Sequence, residues 1–205
     1  MHRSSMDERF HLKYRRLLEI LPDVAECAAG KLILVGGTAL AVFHLEHRIS
    51  IDLDFVPISG SDTELKEALK GCLTKKGYRT LRSAYPNQFV IQFEDTSIKI
   101  EVFDPVRKIK HWKEHEFGKS KLPVATMEEI LKMKMDAYAD RREARDLFDI
   151  VFILSDNKEG MDPVVELIRK HGPPKNSEDI RNVALNDEDY ATFMKVISNA
   201  SKAGG

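Results

Sequence analysis

The stretch LVGGTALAVFHLEHRISIDLDF, residues Leu34–Phe55, is the most informative part of this sequence. Its pattern predicts a strand, a turn at Gly36 and Gly37, a short helix, and a second strand that carries Asp52 and Asp54. Apolar residues at positions 51, 53 and 55 alternate with the two acids, which predicts one strand face in a core and one acidic face. Because a single short helix separates the two strands, we expect the glycine turn and the acids at the same edge of one sheet.

The acid pair and the glycine turn together indicate chemistry on a phosphate. Residues i and i+2 of a strand leave the same face about 7 Å apart at their Cα atoms, so two carboxylates there repel unless a cation lies between them. Mg²⁺ prefers oxygen ligands, and two such ions about 4 Å apart stabilise an in-line phosphoryl displacement. Glycines ahead of a helix let the main chain approach a phosphate, and the free N–H groups of a helix N-terminus bind anions. A plain tight turn and a solvated acidic face are the alternatives, but the combination favours nucleotidyl transfer.

Three segments resemble the motifs of a known family. GGTAL at residues 36–40, HRISIDLDF at 47–55 and RDLFDI at 145–150 are similar to the motifs of the AbiEii/AbiGii toxin family, within the DNA polymerase β nucleotidyltransferase superfamily. The resemblance covers residues 31–154. It implies an α/β (α+β) fold, with a polymerase β-like core on a mixed sheet and a helical C-terminal part. The expected division is a core with an N-terminal helix at residues 1–122 and a helical part at 123–205 that closes the nucleotide cleft.

A later strand supplies the expected third acid. In the last predicted strand of the core, apolar residues alternate with Lys99 and Glu101, so these two share the polar face. An ordinary amphipathic strand is the alternative. The resemblance, however, implies a third carboxylate from such a strand, at a position where aspartate is expected and Glu101 stands. Asp104 lies close by in sequence but has the opposite parity. We therefore predict Asp52, Asp54 and Glu101 as catalytic residues and as ligands of two Mg²⁺ ions, with Mn²⁺ as the alternative metal.

The resemblance also implies a set of nucleotide-binding residues. The turn and the start of the following helix are expected to bind the β- and γ-phosphates, and a lysine on a later helix is expected to face the triphosphate. The predicted nucleotide-binding residues are Gly36, Gly37, Thr38, Ser50, Lys134 and Arg145. Arg145 lies four residues before Asp149, so an ion pair within the helix remains open beside a phosphate role. Arg48 matches a motif position near the site, and Asp146 is expected to orient the helix or support the site.

Residues 124–159 contain neither glycine nor proline, and they predict one long helix or two helices with a break near 140–143. At about 100° per residue, a largely apolar stripe is interrupted by four polar residues: Lys134, Tyr138, Arg141 and Arg145. The cations are therefore predicted on the side that faces the core. Buried cations need anionic partners, which are either acids of the chain or substrate phosphates.

Composition limits the partners of the chain. Its 205 residues are 42% hydrophobic with a formal net charge of −1, which predicts a sizeable core and argues against a globally basic surface for nucleic acid. The segment Arg107–Lys121 is basic and carries Trp112, which suits a loop that binds RNA, although a solvated loop is the plain alternative.

Cys27 and Cys72 have no disulfide-framework or metal-ligand spacing, so reduced thiols are expected. Since neither a signal peptide nor an apolar run of membrane-spanning length is found, we expect a cytoplasmic protein without membrane contact.

The leading hypothesis is a metal-dependent nucleotidyltransferase that moves a nucleoside monophosphate from a nucleoside triphosphate to an acceptor hydroxyl. The resemblance implies the toxin of a bacterial toxin–antitoxin or phage-defence pair, with the 3′ end of a tRNA as acceptor and an antitoxin protein as partner. A small-molecule nucleotidyltransferase of the antibiotic-modifying type is the second hypothesis. A degenerate nucleotide-binding module is the third, and the presence of three mutually repelling acids counts against it.

Overall fold

The computed structural model describes residues 5–155 and 160–203, with side chains described over 8–155 and 160–200. Within these residues, seven strands form one sheet: β1 Leu32–Val35, β2 Asp52–Pro57, β3 Arg79–Arg82, β4 Gln88–Gln92, β5 Ser97–Val102, β6 Trp112–Phe117 and β7 Ser120–Ala125. The helices are α1 Ser5–Ala28, α2 Gly36–Phe43, α3 Asp62–Lys75, α4 Met127–Arg141, α5 Ala144–Ser155, α6 Asp162–His171 and α7 Asp187–Ala203. A 3₁₀ helix, Ser177–Asn182, lies between α6 and α7.

The sheet is mixed, which confirms the predicted fold class. Its strand order is β3-β4-β5-β2-β1-β7-β6. β2 runs parallel to β5 and β1 runs parallel to β7, while the other neighbouring pairs are antiparallel. The two strands of the opening motif pair directly, with Val35 opposite Asp54. The glycine turn and the acids therefore do meet, at the same end of the paired strands β1 and β2.

Burial along the strands follows their positions in the sheet. β1 lies near the middle and is buried along its whole length. On β5, Ile98, Ile100 and Val102 are fully buried, and the residues between them are half-buried. α1 and α3 pack against each other and against strands of the sheet. Ser61 caps α3 by accepting a hydrogen bond from the main-chain N–H of Glu64, as its spacing from that residue predicts.

The chain divides into two compact units. The first comprises Met1–Ala39 and Ser50–Thr126 and holds the sheet, and the second comprises Leu40–Ile49 and Met127–Gly205 and holds the later helices. The second unit thus includes a segment that leaves the first within α2 and returns just before β2. The division into domains at residues 122 and 123 stays a prediction.

The predicted break in the long helical region is present. α4 ends at Arg141 and α5 begins at Ala144, and between them Arg142 has a φ of 56°. Lys134 is buried, but Arg141 at the C-terminal end of α4 and Arg145 beyond the break are exposed. The prediction that the cationic stripe continues on the core side is therefore wrong for both arginines. Residues 156–159 of the predicted helix lie outside the described residues.

Cys27 and Cys72 form a disulfide, so the prediction of reduced thiols is wrong. α1 and α3 pack together and bring the two Cα atoms to 5.6 Å, although 45 residues separate them in sequence. A pair formed by two distant helices leaves no spacing signal, because only the tertiary packing brings the thiols within reach.

The basic segment 107–121 is not a loop throughout, which corrects the prediction made for it. β6 and the start of β7 lie within it and form a hairpin at one edge of the sheet. The strand pattern of β6 is hidden in the sequence because four of its six residues are charged or histidine, as is common where an edge strand faces water. Among the described residues, no helix has both the length and the apolar character needed to span a membrane.

Candidate active site

The acid residues lie on two adjacent parallel strands in the middle of the sheet. In the register of β2 and β5, Asp54 lies opposite Glu101 and Asp52 lies opposite Lys99. Register partners on neighbouring parallel strands point to the same face, and so do residues two apart on one strand. These four residues therefore form one block, which we call the acid block, and all four are half-buried.

Lys99 supplies a positive charge inside the acid block. Its Nζ lies 3.3 Å from Oδ2 of Asp52 and 3.7 Å from Oε2 of Glu101. Burial lowers the pKa of Lys99, but the carboxylates of Asp52 and Asp54 outweigh burial and raise that pKa above its usual value. Lys99 therefore remains an ammonium ion and neutralises part of the repulsion among the acids.

Two amides hold the carboxylate of Glu101 from the other side. Asn87 donates a hydrogen bond from Nδ2 to Oε1 (2.6 Å), and Gln88 donates one from Nε2 to Oε2 (3.0 Å). Ser83 donates in turn to Oε1 of Gln88, which fixes the orientation of that amide. Glu101 thus has a fixed position at the centre of the sheet, while Asp104 lies beyond the end of β5 and is exposed. This placement favours Glu101 over Asp104 as the third acid, and its catalytic role stays a prediction.

The glycine turn and the acid pair are in direct contact. Gly36 has a φ of +72°, a conformation that side chains rarely adopt. A Cβ placed at Gly36 would lie 2.7 Å from Oδ2 of Asp54, which is too close for any side chain. The absence of a side chain at this position therefore lets the start of α2 lie against the carboxylate of Asp54.

Thr38 and Ser50 connect the turn to the acid strand. The hydroxyl of Thr38 is fully buried, lies 3.0 Å from Oγ of Ser50, and donates to the main-chain carbonyl of Asp52. The contacts of these two side chains thus lie within the protein and fix the first residue of β2 relative to α2. Their nucleotide-binding role stays a prediction, and the contacts observed are those of residues that position Asp52.

The donor chemistry of the acid block suits a hard divalent cation, since every candidate ligand atom is a carboxylate oxygen. Over residues 5–155 and 160–203, however, no group of three or more His, Cys, Asp or Glu side chains is arranged so that it could hold a metal ion. In the acid block, the ammonium of Lys99 lies against two of the three acids. The carboxylate oxygens of the acid block are suitable metal ligands. In this structure the ammonium of Lys99 lies between two of those acids, Asp52 and Glu101.

A second group of charged residues is buried in the second unit and joins α4, α5 and the segment 40–49. Asp149 is completely buried and binds three partners: Nε2 of His47 at 2.8 Å, Nε of Arg48 at 2.6 Å and Nζ of Lys134 at 2.9 Å. Asp146 binds Lys134 at 2.9 Å and also Arg141 through Nε and Nη2. We call the five buried residues, His47, Arg48, Lys134, Asp146 and Asp149, the buried ion network, and the exposed Arg141 contacts it from outside.

The charges of the buried ion network satisfy one another. Burial raises the pKa of Asp149, but Arg48 and Lys134 outweigh it and hold that pKa well below its usual value. Burial likewise opposes the charge of Lys134, while Asp149 and Asp146 raise its pKa above the usual value. The expected anionic partners of Lys134 therefore include two aspartates of the chain itself. Its predicted contact with a triphosphate stays a prediction, as does that of Arg145, which is exposed and is not the partner of Asp149.

The predicted site residues leave out three that shape the acid block, namely Lys99, Asn87 and Gln88. Lys99 has the same parity as Glu101, so the alternation of β5 was a sufficient signal to include it. Asn87 and Gln88 had no comparable signal, because their contact with Glu101 depends on the antiparallel register of β4 and β5.

A family model and several solved structures match this chain over most of its length. The model of a family described as nucleotidyl transferase AbiEii toxin, type IV toxin–antitoxin system, matches residues 17–200. No curated protein matches the chain significantly.

Several solved structures share the fold. The nucleotidyltransferase toxin MenT4 from Mycobacterium tuberculosis has a TM-score of 0.62 at 14% identity, over 97% of this chain and 86% of that one. JHP933 from Helicobacter pylori has a TM-score of 0.55 at 19% identity, over 99% of this chain and 95% of that one. An antigenic nucleotidyltransferase-like protein from Paracoccidioides brasiliensis has a TM-score of 0.54 at 14% identity, over 83% and 91%. At these identities the likeness shows a common fold.

Proposed function

The chain belongs to the AbiEii nucleotidyl transferase toxin family, and from this membership we propose that it transfers a nucleoside monophosphate from a nucleoside triphosphate to the 3′ end of a tRNA. In this proposal it is the toxin of a bacterial pair, acts in the cytoplasm, and is restrained by a cognate antitoxin protein. The single observation that carries the proposal is the contact between the glycine turn and the acid strand, where Gly36 lies against Asp54.

This contact suits nucleotidyl transfer because it places two kinds of phosphate-binding group side by side. The main-chain N–H groups at the start of α2 can bind the negative oxygens of a triphosphate. The half-buried acids of β2 and β5 can hold the divalent cations that accompany the triphosphate. Bound ions at Asp52, Asp54 and Glu101 would supply positive charge to the phosphates during transfer.

The proposed reaction is an in-line displacement at the α-phosphorus. The acceptor hydroxyl oxygen forms the new bond to phosphorus, the bond to the bridging oxygen breaks, and pyrophosphate leaves. The proton of the acceptor hydroxyl passes to a carboxylate, for which Glu101 is our candidate because two amides hold it in place. Most of the catalytic effect comes from positioning and from charge neutralisation, as is general for phosphoryl transfer.

The β6–β7 hairpin supports RNA as the acceptor. Lys108, Lys110 and Lys113 are exposed on or before it, and Trp112 at the start of β6 is 36% exposed. Exposed cations beside an accessible aromatic ring suit a phosphate backbone with one stacked base. A small-molecule acceptor has no need of this surface.

The proposal is tested with triphosphates that carry the label on different phosphorus atoms. Purified protein is incubated with bacterial tRNA, Mg²⁺ and each nucleoside triphosphate, labelled at either the α- or the γ-phosphorus. We expect the α-label to appear on the tRNA and the γ-label to be released as pyrophosphate.

Other distributions of label contradict the proposal in distinguishable ways. A γ-label on RNA would indicate a kinase, and an α-label on an aminoglycoside in place of RNA would indicate the antibiotic-modifying hypothesis. Binding of the triphosphate without transfer to any acceptor would indicate a nucleotide-binding module.

A further inference from the structure

We propose that Lys99 is an internal counter-cation of the acid block, which a divalent metal ion must displace before Asp52 and Glu101 can hold that ion. The inference rests on the proposed function in one respect, namely that the acids hold a metal. It goes beyond it in assigning to Lys99 control over when that metal binds.

The position of Lys99 is the first argument. Oδ2 of Asp52 and Oε2 of Glu101 approach the same ammonium group, at 3.3 and 3.7 Å. The lysine reaches this point because it lies opposite Asp52 on the adjacent strand and two residues before Glu101. Its ammonium therefore occupies the place where these two oxygens would otherwise share an ion.

The side chain of Lys99 can move away while Glu101 stays in place. Glu101 also accepts hydrogen bonds from Asn87 and Gln88, and these two contacts do not involve the ammonium of Lys99. The ammonium of Lys99 is carried on a flexible stem of four methylene groups, and the side chain is 35% exposed, so the ammonium can move into solvent. The two acids would then be left facing a vacated position between them.

Competition between a lysine and a metal has a measurable sign. Two like charges disfavour each other at short range, so the ammonium should weaken metal binding to the acids. When the ammonium of Lys99 is absent, the acids repel one another. The metal-free protein should therefore be less stable without the ammonium than with it. Removing the charge while keeping the side-chain length should therefore have opposite effects on metal affinity and on stability in chelator.

The experiment measures Mn²⁺ binding without nucleotide, by titration followed through the spin-resonance signal of free Mn²⁺. The variants are Lys99→Met, which removes the charge, and Lys99→Arg, which keeps it. Lys75→Met, at an exposed lysine on α3, is the matched control. Melting temperatures are recorded for each protein in EDTA and in Mg²⁺.

We expect Lys99→Met to bind Mn²⁺ about tenfold more tightly than the wild type or more, because a positive charge has been removed from the site. The same variant should melt at a lower temperature in EDTA and recover in Mg²⁺, and the arginine and control variants should behave like the wild type. Unchanged or weaker Mn²⁺ binding by Lys99→Met would overturn the inference, and so would an absence of binding in both proteins. If Lys99→Met does not fold, Lys99→Gln takes its place.

Asp52→Asn, titrated in parallel, separates this inference from the proposed function. If Asp52→Asn binds Mn²⁺ as the wild type does, the acids are not the metal ligands and that part of the proposed function fails. If Asp52→Asn weakens binding while Lys99→Met leaves it unchanged, only the role of Lys99 is refuted.

Discussion

Glu101 and Asp104 differ in what the fold does with them, although they lie three residues apart. Glu101 is on β5, in register with Asp54, and accepts hydrogen bonds from two amides. Asp104 follows the strand and is exposed. A carboxylate that assists proton transfer has to be held in one orientation, and only Glu101 meets that condition.

Glu101→Gln is therefore expected to lower the rate of nucleotide transfer by about 10²-fold or more, which is the usual contribution of a positioned acid or base. Asp104→Asn should leave the rate close to that of the wild type. The measurement is the initial rate of α-label transfer at saturating triphosphate, with the melting temperature as a check on folding. If Asp104→Asn is the damaging change, the assignment of the third acid is wrong.

The pairing of α4 with α5 depends on the buried ion network more than on helix propensity. The helical phase breaks at Arg142, so the two helices need a tertiary contact to fix their relative position. Lys134 on α4 binds both Asp146 and Asp149 on α5, and Asp149 also holds Arg48 and His47. His47 in turn stacks on Phe148, which packs edge-to-face on Phe193 of α7. One aspartate thus connects three segments of the second unit.

Asp149→Asn is expected to lower the free energy of unfolding at pH 7 by about 3–5 kcal/mol, because it leaves buried cations without their partner. Glu166→Gln, at an exposed ion pair on α6, should change it by less than about 0.5 kcal/mol. Denaturant unfolding of both variants measures these differences. A loss equal to that of the control would show that the network contributes little.

The pH dependence of the same variant carries a definite sign. Since the folded-state pKa of Asp149 is held well below its usual value, its contribution is present above the unfolded pKa of about 4 and is lost as the pH falls through the folded value. The difference in unfolding free energy between wild type and Asp149→Asn should therefore be constant near neutral pH and shrink below about pH 4. A difference that grows on acidification would contradict the lowered pKa.

How much of this protein could be predicted from sequence depended on the range of the interaction. The strand–turn–helix–strand order around Gly36 and Asp52 follows from local alternation and turn chemistry, and the structure confirms it. A break near residues 140–143 was also predicted, and α4 ends at Arg141 while α5 begins at Ala144. The Cys27–Cys72 disulfide and the edge hairpin were missed, because the first depends on two distant helices and the second on a strand whose charges mask its period.

Within the candidate site, the contacts that could not be predicted from sequence were those that depend on the register between neighbouring strands. Parity placed Lys99 beside Glu101, but the contact of Lys99 with Asp52 required the parallel pairing of β2 with β5. The burial of Lys134 was predicted by its helical stripe, whereas the identity of both its aspartate partners depended on how α5 folds back on α4. A sequence pattern fixes which face a side chain takes, and the tertiary pairing decides what it meets there.

For the whole molecule, the central claim is that the carboxylates of β2 carry out nucleotide transfer. The most direct measurement is α-label transfer to tRNA by Asp52→Asn and Asp54→Asn, with Glu94→Gln at an exposed acid as the control. We expect both aspartate variants to remain folded and to lose transfer by about 10²-fold or more, since charge stabilisation of the reacting phosphate is removed, while the control keeps the wild-type rate. Full transfer activity in either aspartate variant would contradict the account.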